Sequence, residues 1–261
     1  MAHPRNVGWG EIGLDYHYDN SPRDVQRQVF SRQLQHAVRL GKPITVHTRE
    51  AEEDTERILK AEVPKDHKVR YQPNSSAPIR MLYAKCVVSL SHYTCEKKTK
   101  TKTKNKSPQI HVHCFTDSPE FAQRLLDHFP NLYIGITGTH PSLPFSHEDN
   151  QLKGTDTPFS FFASSGVITF SSNENTSNIV RRMFAQSPSR PPRIILETDA
   201  PFMVPANIYG SLPGVKGRLP LCHTAMIPWT AEFVATVAGE GWDVDRVLEL
   251  GKINANCVYG I

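Results

Sequence analysis

Residues 7–15 read VGWGEIGLD, an apolar run that ends in acidic residues. The reading of this run decides the fold. Behind it, from Pro22 to Leu40, apolar residues recur at helical spacing (Val25, Val29, Leu34, Ala37, Val38), closed by Gly41 and reset by Pro43. The next run, Ile44–Thr48, is again short and apolar. A strand, a helix and a second strand within about forty residues make a βαβ unit, which calls for a parallel sheet with helices against it.

The rhythm continues along the chain. After a short helix through Ile58 and Leu59, a strand is expected over Ile110–Phe115. The triplet Ser118-Pro119-Glu120 supplies an N-cap and a first-turn proline for a helix carrying Phe121, Leu125, Leu126 and Phe129. Further strands are expected over Leu132–Thr137 and Arg193–Asp199, and closing helices over Trp229–Ala238 and Val244–Leu250. Residues 71–109 and 139–166, rich in Ser, Thr, Pro and Lys, are too long and too aperiodic for ordinary connections and read as insertions in a single domain spanning 1–261. The run VVSLS near residue 89 could supply a strand within the first of them.

Bulk properties narrow the function classes. A chain of 261 residues with 38% hydrophobic residues can bury a sizeable core. Its most apolar short run, Met81–Leu90, is interrupted by Lys85, and MAHPRNVGWGE has no secretory apolar stretch, so an intracellular protein, nuclear or cytoplasmic, is expected with no membrane partner. Five cysteines, never spaced CxxC, point to reduced thiols rather than a disulfide framework or zinc ribbon. The net charge of +4 is local. Lys97, Lys98, Lys100, Lys102, Lys104 and Lys106 outnumber it, which leaves the rest of the chain slightly acidic. That tract reads as a solvated loop that would attract phosphate backbones without reading sequence.

Metal-competent residues fall in or at the ends of the expected strands: Glu11 in GEIGLD, His47 ending ITVH, His113 in HVHCF and Asp199 ending IILETD. Parallel strands aim such ends at one face, where carboxylates and imidazoles converge on a cation. Each has a bland alternative: a strand-end cap for Glu11, a hydrogen-bonded core imidazole for either histidine, and a helix N-cap for Asp199 ahead of Pro201. As a set they are harder to explain by packing, because apolar strands seldom bury charge without function.

GEIGLDY, the helix QVFSRQLQHAVRLGKP leading into ITVHTRE, HCFT, IILETDAPF with Pro205 after it, and INANCVYGI stand in this order in the chain. As a set they resemble the successive blocks of the TatD family of metal-dependent deoxyribonucleases, nearest to its eukaryotic TatD-domain group. The resemblance covers most of residues 2–70, 110–138 and 167–261. It implies a TIM-barrel-like α/β metallohydrolase that cleaves DNA phosphodiester bonds, commonly as an exonuclease, with two divalent ions (Mg, Mn or Zn). Carried over by motif, Glu11 would bridge the ions, His47 and His113 would complete the second ion's shell, and Asp199 would ligate the first ion and position or deprotonate the attacking water. His113 is preferred to His111 because the family histidine directly precedes Cys-Phe. His111 lies one layer deeper on the same side, as a core or supporting residue. By position, Arg49, just past His47, would meet a substrate phosphate or else be a plain surface arginine, and Glu197, on the Asp199 side of its strand, would support the ligands.

One departure qualifies the resemblance. Family members carry a His-x-His strand, a second strand and a helix ahead of GEIGLD, whereas here that block begins at Gly10. The expectation is therefore a barrel lacking its first two strands, with the first metal site impaired and held by Asp199 and Glu11. Two rival readings remain: another amidohydrolase- or phosphotriesterase-like metallohydrolase, and a nonenzymatic nucleic-acid-binding protein that uses the lysine tract.

Overall fold

The computed structural model describes residues 6–18, 20–65, 109–137, 170–187, 189–212, 214, 215 and 219–260. Five strands, β1 (Trp9–Asp15), β2 (Ile44–Arg49), β3 (Ile110–Val112), β4 (Leu132–Thr137) and β5 (Ile194–Glu197), form one parallel sheet in the order β1-β2-β3-β4-β5. Each strand is added beside its predecessor, as in the wall of a singly wound barrel. Among the described residues the helices are α1 (Arg23–Leu40), α2 (Glu52–Glu62), α3 (Pro119–His128), α4 (Phe170–Ala185), α5 (Ile227–Ala238) and α6 (Val244–Tyr259), with two short 3-10 turns at Ala206–Ser211 and Thr224–Met226. The proposed insertions fall almost wholly outside the described residues, as do the run VVSLS and the lysine tract. Among the described residues no helix is long and apolar enough to cross a membrane.

Alternation along the strands sorts the side chains. Ile12, Leu14, Val46, Ile110, Val112, Ile134, Ile136 and Leu196 join the main core with Phe30, Leu34, Phe121, Leu125 and Val247 from the helices. The opposite side of the strands carries Glu11, Thr45, His47, His111, Gly135 and Glu197. The far end of α6 reaches this second side, where Tyr259, Val258 and Ala255 cluster with Ile195. A fully buried leucine contributes roughly 1.5–3 kcal/mol, so the apolar side fixes the sheet and the polar side is left to chemistry.

Several sequence expectations need correction. The α1 stripe is rotated: Phe30, Leu34 and Ala37 are buried, whereas Val25 and Val29 are 42% and 47% exposed. The three buried residues repeat at i, i+4 and i+7, and the two valines lie off that line. The strand expected over Ile110–Phe115 stops at Val112, because Cys114 takes a left-handed backbone (φ 46°) that leaves the pleat. The strand expected through Asp199 stops at Glu197 for the same reason, with Asp199 at φ 48°. The last helix runs on to Tyr259 and ends in a left-handed Gly260 cap. Helix α4 had no counterpart in the sequence reading; its buried face is Ile179, Val180, Met183 and Phe184. The N-cap at Ser118 is as expected, its hydroxyl accepting from Phe121 N at 3.2 Å.

Candidate metal centre

Glu11, Gly13 and Asp15 occupy the same side of β1, and Gly13 pairs in register with His47 of β2. A Cβ on Gly13 would stand 1.8 Å from the His47 carbonyl oxygen, so glycine is what lets β1 lie against this part of β2. Gly135 does comparable work on β4. A Cβ there would come within 2.3 Å of Glu197 Oε1 and 2.6 Å of His111 Nε2, so its absence makes room for the Glu197 carboxylate behind the strand ends.

The expected ligands converge. Glu11 Oε1 lies 3.0 Å from His47 Nδ1 and 3.7 Å from His113 Nε2, and Asp199 Oδ1 is 3.6 Å from that same His113 nitrogen. Each imidazole also has its outer nitrogen against a carboxylate, His47 Nε2 at 3.3 Å from Asp15 Oδ2 and His113 Nδ1 at 2.9 Å from Glu197 Oε2. This orients the inner nitrogens toward Glu11. Beneath them, His111 Nδ1 meets the Tyr259 hydroxyl at 2.7 Å, and that hydroxyl meets Thr45 Oγ1 at 2.9 Å. His111 Nε2 is 3.3 Å from Glu197 Oε2. Glu197 is fully buried and also accepts from the Cys114 backbone N–H.

Charge distribution follows from this packing. Burial disfavours the protonated ring of His47, but hydrogen bonds to Asp15 and Glu11 outweigh it and its pKa is raised to about 9. Burial opposes protonation of His113 in the same way, and Glu197 and Asp199 raise it to about 12. Burial alone would raise the pKa of Glu197; the charges and hydrogen bonds of His113 and His111 hold it well below the usual carboxylate range. Two imidazoles presenting one nitrogen each, with two carboxylates, match in number and chemistry what a divalent ion takes from a protein. Glu11, His47, His113 and Asp199 would hold such an ion, displacing the protons that the histidines otherwise carry.

Arg49 is not part of this convergence. Its guanidinium lies over the Tyr18 ring, 4.9 Å from the centroid. The turn that bears Tyr18 is nonetheless tied to the cluster, because Asp15 Oδ1 accepts from the backbone N–H groups of His17 and Tyr18 at 3.0 and 3.1 Å while its other oxygen faces His47. The sequence reading missed three residues. Asp15 was legible by strand alternation, four positions after Glu11. Cys114 had no signal beyond adjacency to His113; burial pushes its thiol up to about 12. Asp117 had none: burial and then the neighbouring Glu52 push its carboxyl up to about 7, and its Oδ2 is buried without a hydrogen-bond partner.

The family model described as "TatD related DNase" matches residues 1–160. The chain belongs to this TatD family. A human 3'-5' RNA nuclease is 30% identical to it over 213 residues, which is 81% of this chain and 18% of that protein. The deoxyribonuclease Tat-D of Schizosaccharomyces pombe is 46% identical over 61 residues, 22% of this chain and 19% of that enzyme. Among solved structures, a TatD family hydrolase from Entamoeba histolytica superposes with a TM-score of 0.56 at 14% identity, covering 97% of this chain and 63% of that one. An amidohydrolase from Saccharomyces cerevisiae gives 0.53 at 16% identity, covering 96% and 64%. These likenesses establish the TIM-barrel-like α/β fold of this TatD chain, which spans somewhat less than two thirds of the solved relatives.

Proposed function

We propose that this TatD chain hydrolyses phosphodiester bonds of DNA with divalent metal, as an exonuclease. The observation that carries the reading is the position of Glu11 Oε1 between His47 Nδ1 and His113 Nε2, with Asp199 Oδ1 beside the same His113 nitrogen. Such a convergence favours a metallohydrolase over a binding module built on the lysine tract. Glu11, His47 and His113 would hold one divalent ion of the Mg, Mn or Zn group, and Asp199 with Glu11 a second. The divalent ions supply charge neutralisation of the phosphate and acidification of the attacking water.

The chain's own residues do the rest. Asp199 accepts the proton of the attacking water and fixes its approach. Glu197 and Asp15 hold the imidazoles so that their inner nitrogens stay unprotonated when the site is loaded. Arg49 meets a phosphate oxygen from the rim, where Tyr18 restrains its guanidinium. The naming of the human relative as an RNA nuclease makes RNA the second substrate to consider.

The test is degradation of end-labelled single- and double-stranded DNA, and of RNA, by the purified chain in magnesium or manganese, beside Asp199→Ala and a chelator control. Cleavage of DNA that both controls abolish supports the proposal. Cleavage of RNA alone replaces the substrate, and no cleavage by a folded, metal-loaded sample overturns the assignment.

A further inference from the structure

Glu11, His47, His113 and Asp199 offer oxygens and imidazole nitrogens, yet sulfur also stands at this end of the sheet. Cys114 Sγ belongs with His113 and Asp199 to a group whose ligand atoms all lie within 4.8 Å of one another. Two further elements hold that sulfur in place. The Thr137 hydroxyl of β4 donates to it at 3.2 Å, and Met203 Sδ, from the loop after β5, lies 3.5 Å away. Among the described residues, the other cysteines belong to no such ligand group: Cys222 Sγ is directed at the Thr198 and His223 carbonyls, and Cys257 of α6 is hydrogen-bonded with Tyr133.

We infer that Cys114 Sγ is a coordinating atom, forming with His113 Nε2 and Asp199 Oδ1 a site for a borderline-to-soft divalent ion of the zinc class. The inference rests on the metal-centre reading above and goes further by naming the ion's character. Magnesium takes oxygen ligands and gains nothing from sulfur, whereas zinc, cobalt and cadmium bind thiolate strongly. Zinc donors at about 2.0–2.3 Å stand roughly 3.3–3.8 Å apart in a tetrahedron, so a group spread over 4.8 Å closes by about 1 Å on binding. The thiol proton leaves to solvent as the metal–sulfur bond forms. Cys114 also adds a donor on the Asp199 side of the cluster. The Met203 thioether beside it gives the site a second polarizable neighbour.

The experiment is an anaerobic cobalt(II) titration of the full chain after metal is stripped, followed by absorption. Visible ligand-field bands report coordination at the centre, and a near-ultraviolet charge-transfer band reports a thiolate bound to cobalt. A variant with Cys86, Cys95 and Cys257 changed to Ser and Cys222 to Ala is expected to keep both features. Cys114→Ser is expected to keep the visible bands, lose the charge-transfer band and bind zinc about tenfold or more weakly, with manganese affinity changed less than about twofold. Visible bands without charge transfer in the unmodified chain overturn the sulfur ligand and leave the metal centre standing. Neither feature, in a sample folded by circular dichroism, overturns both. Should Cys114→Ser fail to fold, alkylation of Cys114 in the unmodified chain decides instead: at least about tenfold slowing by zinc but not by magnesium supports the proposal, and equal rates overturn it.

Discussion

His113 Nδ1 lies 2.9 Å from Oε2 of Glu197, a carboxylate with 0% of its side chain exposed. A charge so placed is retained only because His113 and His111 neutralise it, and in return it fixes the direction in which His113 presents Nε2. Glu197→Gln keeps the shape and removes the charge. Metal affinity is expected to fall about 10–100-fold, read by competition with a chelating dye, with the far-ultraviolet dichroism unchanged. Unaltered affinity would reduce Glu197 to a packing residue.

Protonated His47 stabilises the metal-free fold. Its folded pKa of about 9 exceeds the ordinary imidazole value of 6.5, so its contribution is fully present below about 6.5 and is lost as pH rises through about 9. Urea unfolding of chelator-treated protein at pH 6.5, 8 and 10 is expected to show that loss, on the order of 1–3 kcal/mol. His47→Gln should flatten this part of the profile. The same protonation competes with metal, so affinity should rise over the interval in which metal-free stability falls.

Asp117 behaves in the same sense for a different reason. Its folded pKa of about 7 lies above the ordinary carboxylate value of 3.8, so ionising it in a buried place beside Glu52 destabilises the fold as pH climbs through 7. Asp117→Asn is expected to leave the melting temperature nearly unchanged at pH 4 and to raise it at pH 8, by roughly 1–3 kcal/mol of stability. A variant less stable at pH 8 would show that the carboxylate has a partner it needs.

Gly135→Ala tests the space behind the ligands. The added methyl would strike Glu197 Oε1 and His111 Nε2; Glu197 is held by the Cys114 N–H and His113, and the His111 ring through Nδ1 by the Tyr259 hydroxyl, so neither can swing aside at low cost. A loss of roughly 1–3 kcal/mol in chemical denaturation is expected, together with weakened metal binding. Full stability with full affinity would mean that β4 can retreat from the site.

The sequence made the parallel βαβ order legible because period-two and period-3.6 patterns are written in neighbouring residues. It was less informative where one residue leaves the pleat: nothing local to Cys114 or Asp199 announces a positive φ, and both strands were read two or three residues too long. The stripe on α1 was misplaced because Val25 and Val29 are as apolar as Phe30, and only the sheet decides which line faces inward. For the site, Glu11, His47, His113 and Asp199 could be picked out because charge at the end of an apolar run is conspicuous. Of the carboxylates that orient them, Glu197 stood out by sharing the Asp199 side of its strand, whereas Asp15, though it alternates with Glu11, was passed over because its partner His47 lies on a separate strand.

Tyr259 has one further consequence. Its hydroxyl joins His111, 148 positions earlier, and Thr45, 214 positions earlier, beneath the ligand cluster. During synthesis the strands bearing Glu11, His47 and His113 leave the ribosome long before this tyrosine does, and domains assemble as units in that order. This support therefore forms only once Tyr259 has emerged, so a shorter nascent chain carries its ligands without it. Organisation of the ligand cluster would thus arrive in one step, with Tyr259, rather than accumulate strand by strand.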